Sequence, residues 1–93
     1  MEFKIDNTKV VTSFADNCDI NNIIKLLVEN NEDQYGHYTL EPVPNDEVEC
    51  YSWDEADREV VDMMTPDSEL YILKNGIGDF DQPLGVVLLI EEN

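Results

Sequence analysis

Carboxylates are the residues in this chain with the most chemistry to offer. Asp and Glu number 22 against 5 Lys and Arg, a formal charge of −17 at pH 7. From Glu29 to Glu69 there are 14 acids and one base, Arg58. The densest stretch, Asp46 to Met64, reads DEVECYSWDEADREVVDMM and holds 8 acids in 19 residues. Spaced carboxylates can move protons, bind hard cations or form an anionic surface. In a chain so rich in acids, pairs spaced for acid–base work arise by chance, so spacing alone assigns none of them to proton transfer.

The other reactive side chains do not assemble into a catalytic set. His37 is the only histidine; it sits in a strand-like stretch with no Glu-x-x-His spacing and reads as a structural residue. Cys18 and Cys50 lack the Cys-x-x-Cys spacing of a zinc site and read as free thiols serving as small packing residues. Asp79 and Asp81 in NGIGDFDQP hint at a calcium loop, but the spaced oxygens and terminal bidentate Glu of an EF-hand are missing. No phosphate-cradling glycine loop is present. The expectation is a protein that is not an enzyme, with no catalytic residue, no metal and no cofactor.

The elements that must position the carboxylates follow from apolar periodicity. Phe3–Ile5 and Lys9–Phe14 read as short extended pieces around an Asp6-Asn7 turn, or as one bulged strand. In DINNIIKLLVENN, Ile20, Ile23, Ile24, Leu27 and Val28 recur at helical spacing, with Asp19 placed to cap and Asn30-Asn31 to end the helix. Gly36–Val43 reads as a strand whose far end Pro42 and Pro44 push to an edge. Ser52 and Glu55 fit a capping box, predicting a helix from Trp53 to Met64 with Trp53, Ala56, Val60 and Met64 on its packed face. Leu70–Lys74 and Leu84–Ile90 complete the set. The apolar run VVLLI predicts a central strand covered on both faces. The fold class is α+β (α/β), one domain over 1–93: a small, mostly antiparallel sheet of four to five strands with two helices, in the order β-α-β-α-β-β.

On the second helix, residues three and four apart are neighbours. Glu55, Glu59 and Asp62 therefore form one row with Asp54 and Asp57 beside it. Asp46, Glu47 and Glu49 extend the row upstream, and Asp67 and Glu69 extend it downstream. Such a charge disfavours direct contact with nucleic acid or anionic lipid and steers toward a basic surface. A run of charges is most often a solvated face, but a net charge of magnitude about 2–8 suffices to keep a small domain soluble. Carboxylates on a rigid rod can imitate DNA phosphates, which lie about 3.4 Å apart along the axis on each strand. The expected partner is a basic DNA-binding protein: a nuclease, a restriction enzyme or another anti-phage defence component. Sheet edges left to pair would allow a homodimer, which the sequence itself does not show. The start MEFKIDNTK lacks a signal-peptide pattern, and the longest apolar run, Val86–Ile90, is far short of a membrane span. The expected location is the cytoplasm, that of the host cell if the protein is viral.

Two resemblances accompany these residues. ADNCDINNIIKLLVEN after a first strand resembles the opening strand and helix of the GNAT acyltransferase fold, and DSELYILKNGIGDFDQPLGVVLLIEE resembles its next two strands, with Gly85 before the apolar run. That family holds acyl-CoA through a Gln/Arg-x-x-Gly-x-Gly/Ala turn after its fourth strand, and the sequence stops at Asn93 before such a turn. The resemblance therefore brings no cofactor or catalytic residue to this chain. By size, charge and architecture, with DEVECYSWDEADREVVDMM as its acidic segment, the chain is similar to bacteriophage DNA-mimic inhibitors, including anti-restriction proteins of the Arn and Ocr types and some anti-CRISPR proteins. That resemblance implies a non-enzymatic inhibitor that blocks a basic nucleic-acid groove. The alternatives are an acidic regulatory module that docks a basic partner, or a truncated acyltransferase-like domain without a cofactor site.

Overall fold

Asp6 and Asn7 turn the chain back on itself, and Asp6 takes a left-handed φ of 53°, a conformation that short polar side chains tolerate. The strands they join are β1 (Glu2–Ile5) and β2 (Thr8–Thr12), paired antiparallel from Glu2↔Val11 to Ile5↔Thr8. The computed structural model describes residues 2–14, 18–76 and 82–92. The calcium hint at Asp79 and Asp81 lies outside the described residues.

Helix α1 spans Cys18–Glu29 and buries Ile24 and Leu27, with Ile20, Ile23 and Val28 packed beside them. Asp19 lies in its first turn, not at its cap. Asn31 ends it as expected, with φ 54°. Its amide donates to Val28 O, and that of Glu32 donates to Leu27 O. The two bonds satisfy carbonyls that the helix itself leaves open, in a Schellman arrangement.

A two-residue strand, β3 (Gln34–Tyr35), then pairs with β4 (Tyr38–Val43) around Gly36 and His37. Gly36 has φ +60° and open space where a Cβ would sit. The chain continues through a 3-10 turn at Asn45–Cys50, helix α2 at Glu55–Val61, and strands β5 (Glu69–Asn75) and β6 (Gln82–Glu91).

Among the described residues, six strands form one sheet in the order β1-β2-β6-β5-β4-β3, and every pairing is antiparallel. The α+β class stands, but with six strands, not four to five, and with a 3-10 turn beside the two helices. The first two pieces are separate strands. β3 is too short for an alternation pattern to reveal. β6 is central, and its continuous apolar run divides by alternation. Val86 and Leu88 join Val11, Leu70 and Ile72 under α2, while Val87 joins Val10, Leu40 and Leu73 under α1. A strand buried on both faces needs apolar residues at every position, and VVLLI supplies them. Pro42 is paired with Tyr71 within β4, next to the sheet's edge strand β3, where a missing amide is tolerated.

Candidate functional site

Local packing decides where the acidic helix begins. Trp53 Nε1 donates to Val48 O at 2.9 Å, and the Trp53 and Tyr51 rings stack with centroids 5.1 Å apart and 20° between planes. These contacts hold the chain extended up to Asp54, which has ψ 177° and whose carboxylate accepts from the Asp57 amide at 2.8 Å. Asp54, not Ser52, is therefore the N-cap, and the helix is Glu55–Val61 rather than Trp53–Met64. Asp62 still has helical angles, and the amides of Met63 and Met64 close a last turn onto Val60 and Val61.

The later start accompanies a different packed face. Val60 and Val61 are both buried and Met64 packs against them, while Ala56 is exposed. Two adjacent valines bury more apolar surface than one alanine, so the helix turns its seam between them. Asp57 falls on the edge of that seam and is half-buried. The outer face is Glu55, Ala56, Glu59, Asp62 and Met63, all exposed.

Asp46, Glu47 and Glu49 lie on the 3-10 turn and are exposed as well. Val48 of that turn sinks into the same core as Val60 and Val61, which sets turn and helix on one face of the sheet. Arg58 joins them: its Nη1 lies 3.2 Å from Glu49 Oε2 and its Nε 3.0 Å from Asp62 Oδ1. The hydrogen bond and charge of Glu49, then the charge of Asp62, raise the guanidinium pKa beyond its already high value. The eight acids from Asp46 to Asp62 thus lie on two segments that Arg58 links through Glu49 and Asp62, not on one straight row. The four lysines pair elsewhere, with Glu92, Glu2, Glu29 and Glu41.

Asp67 and Glu69 do not extend this patch as a row. Asp67 lies within the tight Thr65–Ser68 turn, in which the Ser68 hydroxyl donates to Thr65 O and accepts from the Thr65 amide, both at 2.9 Å. Glu69 alternates with Leu70 on β5 and so shares its face with Tyr71, which packs on the α1 side. The Tyr71 hydroxyl donates to Glu69 Oε2 at 2.9 Å. Burial pushes the phenol up to about 12, and the hydrogen bond and charge of Glu69 add to the shift. Both acids line a shallow depression with Thr8, Leu89 and Glu91.

Cys18 and Cys50 are free but exposed, which corrects the packing role expected of them. His37 is exposed in the β3–β4 turn, where its carbonyl accepts from the Gly76 amide at 3.0 Å. Among the described residues, no three His, Cys, Asp or Glu side chains are placed to hold a metal ion together. No helix among them is long and apolar enough to cross a membrane.

Sequence reasoning overlooked a cleft between the start of α2 and the bulged start of β6, lined by Tyr51, Trp53, Asp54, Asp57, Ile72 and Leu84. Its signal in the sequence is the aromatic pair Tyr51-x-Trp53, of which helical spacing assigns a place only to Trp53, on the packed face of the helix. Comparison with known proteins gave no match: no family model, no curated protein and no solved structure corresponds to the chain.

Proposed function

We propose that this protein is a non-enzymatic inhibitor that presents its acidic patch to the basic nucleic-acid-binding groove of a DNA-binding protein, such as a restriction enzyme or another nuclease. The observation that carries the reading is an ordered acidic surface with one countercharge. Seven exposed acids, Asp46, Glu47, Glu49, Asp54, Glu55, Glu59 and Asp62, crowd two short segments fixed to the sheet, with Arg58 as the only base between them. Along α2, Glu55 and Glu59 rise about 6 Å and Glu59 and Asp62 about 4.5 Å, a spacing a basic groove can meet as it meets phosphates. Asp57, half-buried, contributes charge from beneath, while Asp67, in the turn after α2, and Glu69, on the α1 face of the sheet, add only to the overall negative field. A homodimer joined through a sheet edge would lengthen the anionic surface.

The reading is tested by competition. Immobilised protein is used to capture basic partners from a bacterial lysate treated with nuclease, and purified partner is then challenged with duplex DNA. Displacement by DNA is expected, together with affinity that falls steeply with salt. Replacing Glu55, Glu59 and Asp62 by Lys should abolish binding with the circular dichroism spectrum unchanged. Tight binding to a partner whose groove is already filled with DNA would end the proposal. In that case the acidic docking module, whose partner surface has nothing to do with nucleic acid, takes its place.

A further inference from the structure

The cleft beside the acidic patch has properties that phosphate imitation alone does not require. Its floor is apolar: Ile72 and Val86 come from the centre of the sheet. Its rim holds exposed Leu84, placed there by an irregularity in the β5–β6 ladder. Leu73 pairs with Gly85 and Lys74 with Pro83, so Leu84 has no partner across the strand. A bulge of this kind re-aims a side chain, and here it turns a leucine outward, 39% exposed, beside the aromatic stack. The opposite wall is the Tyr51–Trp53 pair, with Tyr51 also 39% exposed. Trp53 is held in orientation by its hydrogen bond to Val48 O. Two carboxylates, Asp54 and Asp57, stand at the mouth, and among the described residues no Lys or Arg lines the cleft.

Aliphatic floor, aromatic wall and carboxylate mouth are the three surfaces that an arginine side chain uses at once. Its methylene stem covers apolar surface, its planar guanidinium stacks on aromatic rings, and its fork of donors meets carboxylates. We infer that the cleft receives one arginine side chain of a basic protein partner and anchors it, while the acidic patch attracts the surrounding charges less selectively. The charge of the cleft disfavours an acidic occupant, and among the described residues no three His, Cys, Asp or Glu side chains are placed to hold a metal cation there. Lysine offers a stem and a charge but no plane, so arginine is preferred. The inference deepens the reading under Proposed function, because it takes the partner's surface to be basic.

Trp53 is the only tryptophan, so its fluorescence reports on the cleft directly. The protein is titrated with a hexa-arginine peptide and, separately, a hexa-lysine peptide at physiological ionic strength. Hexa-arginine is expected to bind roughly two- to fivefold tighter, the gain an exposed cation–π contact supplies, and to shift the Trp53 emission. Tyr51→Ala and Leu84→Ala, both at exposed positions, should each remove the arginine preference without weakening the lysine peptide. Tyr51→Phe should keep it, and the Lys replacements of Glu55, Glu59 and Asp62 should weaken both peptides alike. Equal affinities in the unaltered protein, or an arginine preference that survives Tyr51→Ala, would overturn the inference. Should Tyr51→Ala fail to fold, Leu84→Ala answers the same question. If DNA does not displace the partner but the arginine preference holds, DNA mimicry falls and the cleft stands. If DNA displaces the partner but the two peptides bind equally, the cleft falls alone.

Discussion

Arg58 Nη1 sits 3.2 Å from Glu49 Oε2, nine residues back along the chain, and this contact ties the 3-10 turn to α2. The same guanidinium reaches Asp62 one turn further along the helix. It is the only base from Glu29 to Glu69, so it both joins the two acidic segments and tempers their repulsion. Arg58→Gln should therefore lower the thermal midpoint at low ionic strength. In about 1 M salt, where the Debye length is about 3 Å, most of that difference should vanish. Thermal unfolding followed by circular dichroism at both salt concentrations checks it. A difference that does not change with salt would mean that Arg58 acts through packing instead.

Gly85 stands where a side chain has no room. A Cβ built there would lie 2.5 Å from Ser13 Oγ and 2.8 Å from Phe14 Cδ1. Ser13 cannot simply turn away, because its Oγ accepts from the Val86 amide at 2.9 Å. Gly85→Ala is expected to cost roughly 1–3 kcal/mol, as overpacking of a filled site does. Gly36→Ala meets no neighbouring atom and faces only the left-handed backbone, so it should cost about 1–2 kcal/mol. Urea denaturation of the two variants measures both costs. An unchanged midpoint for Gly85→Ala would show that the end of β2 moves aside freely.

Most of the fold was legible from apolar periodicity. The stripe from Ile20 to Val28 located α1, the Asp6-Asn7 turn separated β1 from β2, and VVLLI identified the central strand. Two of the misreadings had a local cause. Gln34–Tyr35 is a two-residue strand, and two residues carry no period. The start of α2 was misplaced because Ser52 and Glu55 satisfy a capping box on paper. Tertiary contacts override it: Trp53 is bound to Val48 O and stacked on Tyr51, which keeps Ser52 outside the helix. The acidic patch could be read as a composition. Its shape could not, because the junction of Glu49 with Arg58 depends on how the turn at Asn45–Cys50 packs.

The shifted helix face leads to a paired prediction. Ala56 is exposed and Val61 is 5% exposed. Ala56→Gln should change stability by no more than about 0.5 kcal/mol, as surface substitutions usually do. Val61→Ala should cost roughly 1–3 kcal/mol, because it removes buried methyl groups from the α2 core. Chemical denaturation of the two variants decides between the faces. A large loss from Ala56→Gln with little from Val61→Ala would restore the face built on Trp53, Ala56, Val60 and Met64.

Tyr71 gives the protein an alkaline signature. Its phenol is raised from 10.0 to about 12, first by burial and then by the hydrogen bond it donates to Glu69. A raised pKa means that the folded chain keeps this proton where the unfolded chain has lost it. Stability then falls as pH rises, because the unfolded state binds fewer protons. The contribution is complete below about pH 10 and is lost as pH climbs from there toward about 12. Titration of tyrosinate absorbance should therefore show one of the 4 tyrosines ionising well after the unperturbed range. Tyr71→Phe should remove that late step and flatten the alkaline decline in stability. Glu69→Gln should move the step to lower pH without abolishing it, since burial is the larger cause and survives the change. A late step that persists unchanged in Tyr71→Phe would assign it to another tyrosine and detach Glu69 from the alkaline behaviour of the fold.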